Sequence, residues 1–283
     1  MLLGEKMREI KHAIAQITGD REAYWIARDV AEHVMGYSEI DLLMKKDEEL
    51  SDFICTQINN IVARILTGEP IQLILGWARF AGNRFKVTGD TLIPRPETQE
   101  LTDLIIDKHA NETDLNIIDI GTGSGCIAIT LARGLKFANV EAIDISTLAL
   151  NIAKENAKSL KANVKFREQD ALKMPQAHSI YNIIVSNPPY IANQERKDMS
   201  PTVLDYEPST ALFVPNEDPL LFYREISKWG KKALCVGGYI YFEINPLYAK
   251  EVKDMMTEMG YCDVSIIKDM HSKNRFAVAI NAE

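Results

Sequence analysis

Asn116-Ile117-Ile118-Asp119-Ile120-Gly121-Thr122-Gly123-Ser124-Gly125 is the stretch that decides the fold. A short apolar run ends in three glycines at alternate positions, and an apolar helical pattern follows from Cys126. A buried strand that turns sharply into a helix is the repeating unit of a doubly wound α/β sheet. Glycine suits such a turn because the backbone bends tightly and a ligand must approach it closely. In dinucleotide-binding loops the glycines are spaced Gly-x-Gly-x-x-Gly. Here the third comes one residue early, and Cys126 holds the sixth position.

Outward from this turn the strand–helix period continues. Strand-like runs are predicted at 139–145, 164–168, 181–186, 233–243, 263–267 and 275–280, with a helix from Ser146 to Leu160. Alternating β and α elements imply a Rossmann-like, mostly parallel sheet. Only a short turn separates the last two runs, which predicts an antiparallel hairpin at a sheet edge. Towards the N-terminus the pattern changes. Ala23, Ile26, Ala27, Val30, Ala31 and Val34 fall on one helical face, with Gly36 as a stop. Ser38 with Asp41, and then Ser51, open two further helical patterns. The predicted organisation is a helical bundle over 1–70, a β-hairpin linker over 71–95 around Gly82-Asn83, and a sheet domain over 96–283. Pro94 and Pro96 hold the chain extended, so the next helix is expected only after the second proline. Arg95 and Glu97 beside them read as bracing residues.

The 283 residues carry a net charge of −8, and 46% of them are hydrophobic, the balance of an ordinary soluble protein. Residues 1–75 hold 8 Lys and Arg against 13 Asp and Glu, a net −5, which disfavours a phosphate-binding surface. No run approaches the ~20 apolar residues of a membrane span, and the N-terminus lacks the pattern of a signal peptide. The default location is therefore the cytoplasm. Cys55, Cys126, Cys235 and Cys262 are far apart and the histidines equally scattered, so no metal-ligand or redox motif is encoded.

A Gly-x-Gly-x-Gly loop is the form associated with S-adenosylmethionine, since no pyrophosphate has to be cradled. Gly121, Thr122, Gly123, Ser124 and Gly125 are accordingly candidate cofactor contacts. Asp144 ends the second strand and is placed to bind both hydroxyls of an adenosine ribose. Its alternative is a helix cap, for which Ser146 stands better. Asp170, after the third strand, is placed to accept from the adenine amino group or to form a turn. Ala171 follows it.

The fourth strand of the sheet runs directly into Asn187-Pro188-Pro189-Tyr190. A conjugated NH2 group is a poor nucleophile, so a site must hold both its N–H bonds and leave the lone pair facing an electrophile. The Asn187 side-chain oxygen offers one acceptor. The Pro188 carbonyl, fixed by two consecutive prolines, offers the second. Tyr190 offers a flat face. Asn187, Pro188 and Tyr190 are the candidate catalytic residues, and Asn187, Pro188, Pro189 and Tyr190 are the candidate acceptor-binding turn. Adenine N6, cytosine N4 and a glutamine amide all satisfy this chemistry.

Taken together, these residues resemble the HemK/PrmC-type glutamine N5-methyltransferases that modify peptide chain release factors. The resemblance covers nearly the whole chain. It is carried by Gly68 to Gln72, the hairpin with Phe80 and Gly82, Leu92 to Thr98, Gly121 to Gly125, Asp144, Ser186 to Tyr190, Glu207-Pro208 and Ala211-Leu212. It implies a helical N-terminal domain that recognises the release factor. It further implies transfer of a methyl group from S-adenosylmethionine to the glutamine of the factor's Gly-Gly-Gln motif, leaving S-adenosylhomocysteine, with Asn187 to Tyr190 holding the glutamine and Asn187 also near the cofactor. Two departures stand out. Ala171 occupies a position where relatives carry a bulkier residue, and Phe213 to Pro219 replaces a glycine-rich stretch. The alternatives are an N6-adenine methyltransferase acting on DNA or RNA and a ribosomal-protein glutamine methyltransferase.

Overall fold

Period-3.6 apolar faces at the N-terminus and β-branched runs beyond it fold into two separate compact units. The structure, a computed structural model, describes residues 1–282. One unit comprises Met1–Gly76 with Pro201–Tyr206, and the other Trp77–Ser200 with the described chain from Glu207 onward.

The first unit is built from α1 (Leu3–Thr18), α2 (Asp20–Met35), α3 (Glu39–Met44), α4 (Asp52–Leu66) and α5 (Ile71–Leu75). Gly36 ends α2 in the left-handed conformation, and the Ser38 and Ser51 hydroxyls cap α3 and α4 by accepting from the Asp41 and Ile54 amides. Its core gathers Leu3, Ile10, Ile14, Ile26, Val30, Ile58 and Ile65.

The second unit begins with a hairpin of β1 (Trp77–Phe80) and β2 (Asn83–Lys86). The hairpin is shorter than its alternation predicts, because Pro70 and Gly76 frame Ile71–Leu75 as one helical turn of α5. It also packs as part of this unit, with Phe80 and Phe85 meeting edge to face in the core at 5.8 Å. Then follow α6 (Pro96–Lys108), β3 (Asn116–Ile120), α7 (Cys126–Gly134), β4 (Asn139–Asp144), α8 (Thr147–Ser159), β5 (Val164–Glu168), β6 (Tyr181–Ser186) and β7 (Ile191–Ala192). After α9 (Pro201–Tyr206), which groups with the first unit, come α10 (Ser209–Leu212), β8 (Phe213–Val214), α11 (Leu221–Ala233), β9 (Leu234–Glu243), α12 (Ala249–Glu258), β10 (Tyr261–Lys268) and β11 (Asn274–Asn281). Helix α6 starts at Pro96 itself, one residue earlier than the sequence pattern predicts, since proline is tolerated in the first helical position.

The seven-stranded sheet has the order β10-β11-β9-β6-β3-β4-β5. Strands β5, β4, β3, β6 and β9 are mutually parallel, and β11 pairs antiparallel with both β9 and β10. Alternate residues feed opposite faces: Ile117, Ile183 and Val185 pack under α6 and α7, while Ile118, Ile184 and Ile240 pack under α11 and α12. The chain runs outward from β3 through β4 to β5 and then returns to place β6 on the other side of β3. The switch point therefore lies between β3 and β6, where an open α/β sheet forms its ligand crevice. Among the described residues no helix is long and apolar enough to cross a membrane.

Candidate functional site

The turns after β3 and β6 flank the switch point, and both spring from one pair of residues. Ile120 and Ser186 are register partners, and the buried Ser186 hydroxyl donates to the Ile120 carbonyl at 2.6 Å. Gly121 follows one of these residues and Asn187 the other, so the sheet places the glycine loop beside the Asn-Pro-Pro-Tyr turn.

The glycine loop is pinned from several sides. The Gly121 and Thr122 amides both donate to the Ile143 carbonyl, at 2.9 and 3.0 Å. The Thr122 hydroxyl donates to buried Asp119 at 2.6 Å. Asn156 of α8 donates to the Ser124 carbonyl at 2.9 Å while exchanging bonds with the Lys86 backbone, so the hairpin braces the loop. Gly121, Gly123 and Gly125 have φ of 79°, 54° and 82°. A Cβ on Gly121 or Gly123 would enter open space, whereas one on Gly125 would meet Ile129 and Ala153 at 3.0 and 3.1 Å. The first two glycines thus leave room for a ligand, and the third permits helix packing.

Asp144 carries the other wall. One carboxylate oxygen accepts from the Gly123 amide at 2.8 Å and the other from the Ser146 amide at 2.9 Å. Burial raises its pKa, and hydrogen bonds from the Ser146, Gly123 and Ile145 backbone oppose that rise. Ser146 takes the capping role on α8, accepting from the Ala149 amide. Asp170 adopts the turn-forming arrangement, accepting from the Leu172 amide at 2.8 Å with Lys173 at 3.5 Å from its second oxygen. Ala171 is half-buried against the core. Two apolar side chains that the sequence reading passed over are exposed at these strand ends, Ile145 by 62% and Leu172 by 38%. Their signal was an apolar residue one or two positions after an acidic residue, Asp144 at a strand end and Asp170 in the turn beyond one. Ile145 and Leu172 each offer exposed apolar surface of the kind that suits an aromatic base.

At the second turn Pro188 is buried, and Asn187, Pro189 and Tyr190 are half-buried. The Asn187 Nδ2 donates to Thr98 Oγ1 at 3.2 Å. Neither Asn187 Oδ1 nor the Pro188 carbonyl accepts a hydrogen bond among the described residues. Tyr190 donates its hydroxyl to buried Glu243 at 3.2 Å, and Asn245 Nδ2 donates to the Tyr190 carbonyl at 3.1 Å. Burial raises the Tyr190 pKa, with the Glu243 carboxylate adding to the effect, so the phenol stays protonated. Thr98 and Glu243 are further residues of the site that the sequence reading did not assign.

Beyond Tyr190 the chain is tied down again. Strands β7 and β8 pair, Asn193 Nδ2 donates to the Val214 carbonyl at 3.1 Å, and the Gln194 amide donates to Asn216 at 2.8 Å. The stretch that replaces a glycine-rich segment is therefore a wall fastened to the second turn. Buried Glu207 accepts from the Ile93 amide at 3.1 Å and pairs with the Arg95 guanidinium, which makes Arg95 a brace. No group of three or more His, Cys, Asp or Glu side chains among the described residues could hold a metal ion.

The space beside Gly121 and Gly123, the lone pairs left on Asp144 and the exposed apolar side chains of Ile145 and Leu172 fit an adenosine-bearing cofactor. Comparison with known proteins agrees with that fit. Residues 97–204 match the methyltransferase small domain, and residues 8–76 match the PrmC N-terminal domain. A release factor glutamine methyltransferase of Bacteroides thetaiotaomicron is 43% identical over 95% of this chain and 97% of its own. That of Flavobacterium psychrophilum is 37% identical over 97% of this chain and 98% of its own. A methyltransferase from Pyrococcus furiosus, 16% identical, superposes with a TM-score of 0.53 over 80% of this chain and all of its own.

Proposed function

The chain belongs to the release factor glutamine methyltransferase family, and on that premise we propose that its Asn187–Tyr190 turn presents the side-chain amide of a release-factor glutamine for methylation at N5. It is an enzyme of the class I methyltransferase fold, and its methyl donor is S-adenosylmethionine. When bound, the donor supplies a methyl group already activated by the sulfonium charge.

Every other task falls to residues of this chain. Gly121, Thr122, Gly123, Ser124 and Gly125 bed the amino-acid part of the donor. Asp144 accepts from the ribose hydroxyls with the lone pairs its backbone bonds leave free. Asp170 and Ala171 border the adenine, with Ile145 and Leu172 on its flank. Asn187 Oδ1 and the Pro188 carbonyl each accept one N–H of the glutamine amide, Pro189 keeps that carbonyl in place, and the Tyr190 ring supports the amide plane. So held, the nitrogen lone pair faces the methyl carbon, and alignment within roughly 3–3.5 Å is the main contribution to rate. The new N–CH3 bond forms as the S–CH3 bond breaks. The nitrogen then loses one proton to water, and no side-chain base is required.

The observation that carries this reading is a pair of acceptors, Asn187 Oδ1 and the Pro188 carbonyl, without an internal donor at the switch-point crevice. The helical unit recognises the rest of the release factor in the cytoplasm. Its acidic surface repels nucleic acid and favours a protein partner.

The test offers methyl-labelled donor in parallel to a release factor, the same factor with the Gly-Gly-Gln glutamine changed to alanine, a ribosomal protein, tRNA and DNA. Label is expected only in the intact release factor. Label in nucleic acid, or in the altered factor at the same level, overturns the assignment.

A further inference from the structure

Asn187 and Glu243 stand one residue beyond a register pair, Ser186 and Phe242, at the ends of neighbouring parallel strands. Thr98 reaches them from the third residue of α6. Thr98 is 3% exposed and Glu243 2%. One Glu243 oxygen accepts from the Thr98 hydroxyl at 2.7 Å, and the other accepts from the Tyr190 hydroxyl at 3.2 Å. The Thr98 oxygen accepts from Asn187 Nδ2 at 3.2 Å.

The direction of this chain follows from counting hydrogens. A carboxylate only accepts, and a hydroxyl has one hydrogen to give. Because the Thr98 hydrogen is committed to Glu243, its oxygen can offer Asn187 only a lone pair. The NH2 end of the Asn187 amide must therefore face Thr98, and Oδ1 must face the crevice. With the amide turned over, an NH2 would confront the NH2 of the substrate, donor against donor. Burial raises the Glu243 pKa, while the Thr98 hydroxyl, Arg275 and Tyr190 oppose that rise and favour the accepting carboxylate.

We propose that Thr98 and Glu243 are positioning residues that set the polarity of the Asn187 amide, and thereby make the site select a group that donates N–H. The same carboxylate holds the Tyr190 hydroxyl, so one buried acid orients both ends of the turn. This inference deepens the function proposed above and rests on it for the identity of the acceptor.

A protein substrate draws most of its affinity from contacts away from the reacting amide, so a misdirected Asn187 should lower kcat more than it raises KM. Thr98→Val keeps the shape and removes the hydroxyl, and Thr98→Ser restores it. Thr98→Val is expected to lower kcat on the release factor roughly 10- to 100-fold, with the release-factor KM and the donor affinity each within about threefold of wild type. Thr98→Ser is expected to keep kcat within about threefold of wild type. Should Thr98→Val melt early, Thr98→Ala serves in its place with the same expected loss. Equal impairment of the Ser and Val variants, a loss confined to donor affinity, or wild-type kcat in Thr98→Val overturns the proposal.

A second readout needs no substrate. In 15N-labelled protein the Asn187 side-chain NH2 should exchange slowly in wild type and rapidly in Thr98→Val, and unchanged exchange overturns the proposal. A wild-type enzyme that labels no release factor refutes the function instead, so the two failures are distinguishable.

Discussion

Alanine substitution at two glycines that stand two positions apart in sequence, Gly123 and Gly125, should separate ligand binding from folding. Both have positive φ, 54° and 82°, so alanine at either costs about 1–2 kcal/mol of backbone strain. Around Gly123 that is the whole cost to the fold, since an added Cβ meets nothing within 4 Å. The methyl would instead enter the space proposed above for the donor. Overpacking of about 1–3 kcal/mol corresponds to a roughly 5- to 150-fold loss of affinity. At Gly125 the added Cβ meets Ile129 at 3.0 Å and both Cβ and Cα of Ala153 at 3.1 and 3.3 Å. Overpacking then adds to strain for a total of about 2–5 kcal/mol, a fall in Tm on the order of 10 °C. Calorimetric titration with S-adenosylmethionine and thermal melts of both variants provide the assay. Unaltered donor affinity in Gly123→Ala, or a Gly125→Ala variant no less stable than Gly123→Ala, refutes the division of roles.

Asn187→Ala is expected to abolish methyl transfer while leaving donor binding largely intact, as read by labelled-methyl incorporation and calorimetry; full activity removes Asn187 from the reaction. Asp144→Ala should weaken donor affinity by at least tenfold, about 1.4 kcal/mol, and an unchanged titration curve would exclude it from the ribose contact. Buried Asp119 has its pKa raised to about 7 by desolvation, against the hydrogen bonds from Thr122 and Ala128. Its folded pKa lies above its unfolded one, so the stability it contributes is present below pH ~4 and is lost as pH rises towards 7. Melts of Asp119→Asn should accordingly gain on wild type across that window, and a pH-independent difference would contradict the assignment.

The sheet was legible because its signals are local. The β-branched runs, the Gly121 to Gly125 turn and the Ser146 cap each lie within a few residues of what they determine. The same locality explains the misreading at Ile71–Leu75, where a five-residue apolar stretch fits either period and only Pro70 and Gly76 decide for helix. The cofactor loop and the Asn187–Tyr190 turn could be recognised as separate words, but their adjacency depends on β6 lying beside β3, which no local pattern encodes. Thr98 and Glu243 escaped notice for that reason: they are 145 positions apart and acquire meaning only when α6 and β9 converge on Asn187. Asn156 joins the hairpin to the glycine loop, a role that a polar residue in the Ser146 to Leu160 helix does not signal locally. Asp170 offered two readings, and its bond to the Leu172 amide shows the turn-forming geometry.

The Ser186–Ile120 bond makes the glycine loop and the Asn187–Tyr190 turn branches of a single rung of the sheet. Their spacing at the root is then inherited from the strand separation of about 4.8 Å and has no length to adjust. One residue inserted into β6 would advance the chain by about 3.3 Å and invert which side chains face each way. On the proposed function, a new acceptor on this scaffold would have to be accommodated downstream of the rung, in segments such as Ile191–Ala192 and Phe213–Val214, while the spacing at the root of the two turns stays a constant of the architecture.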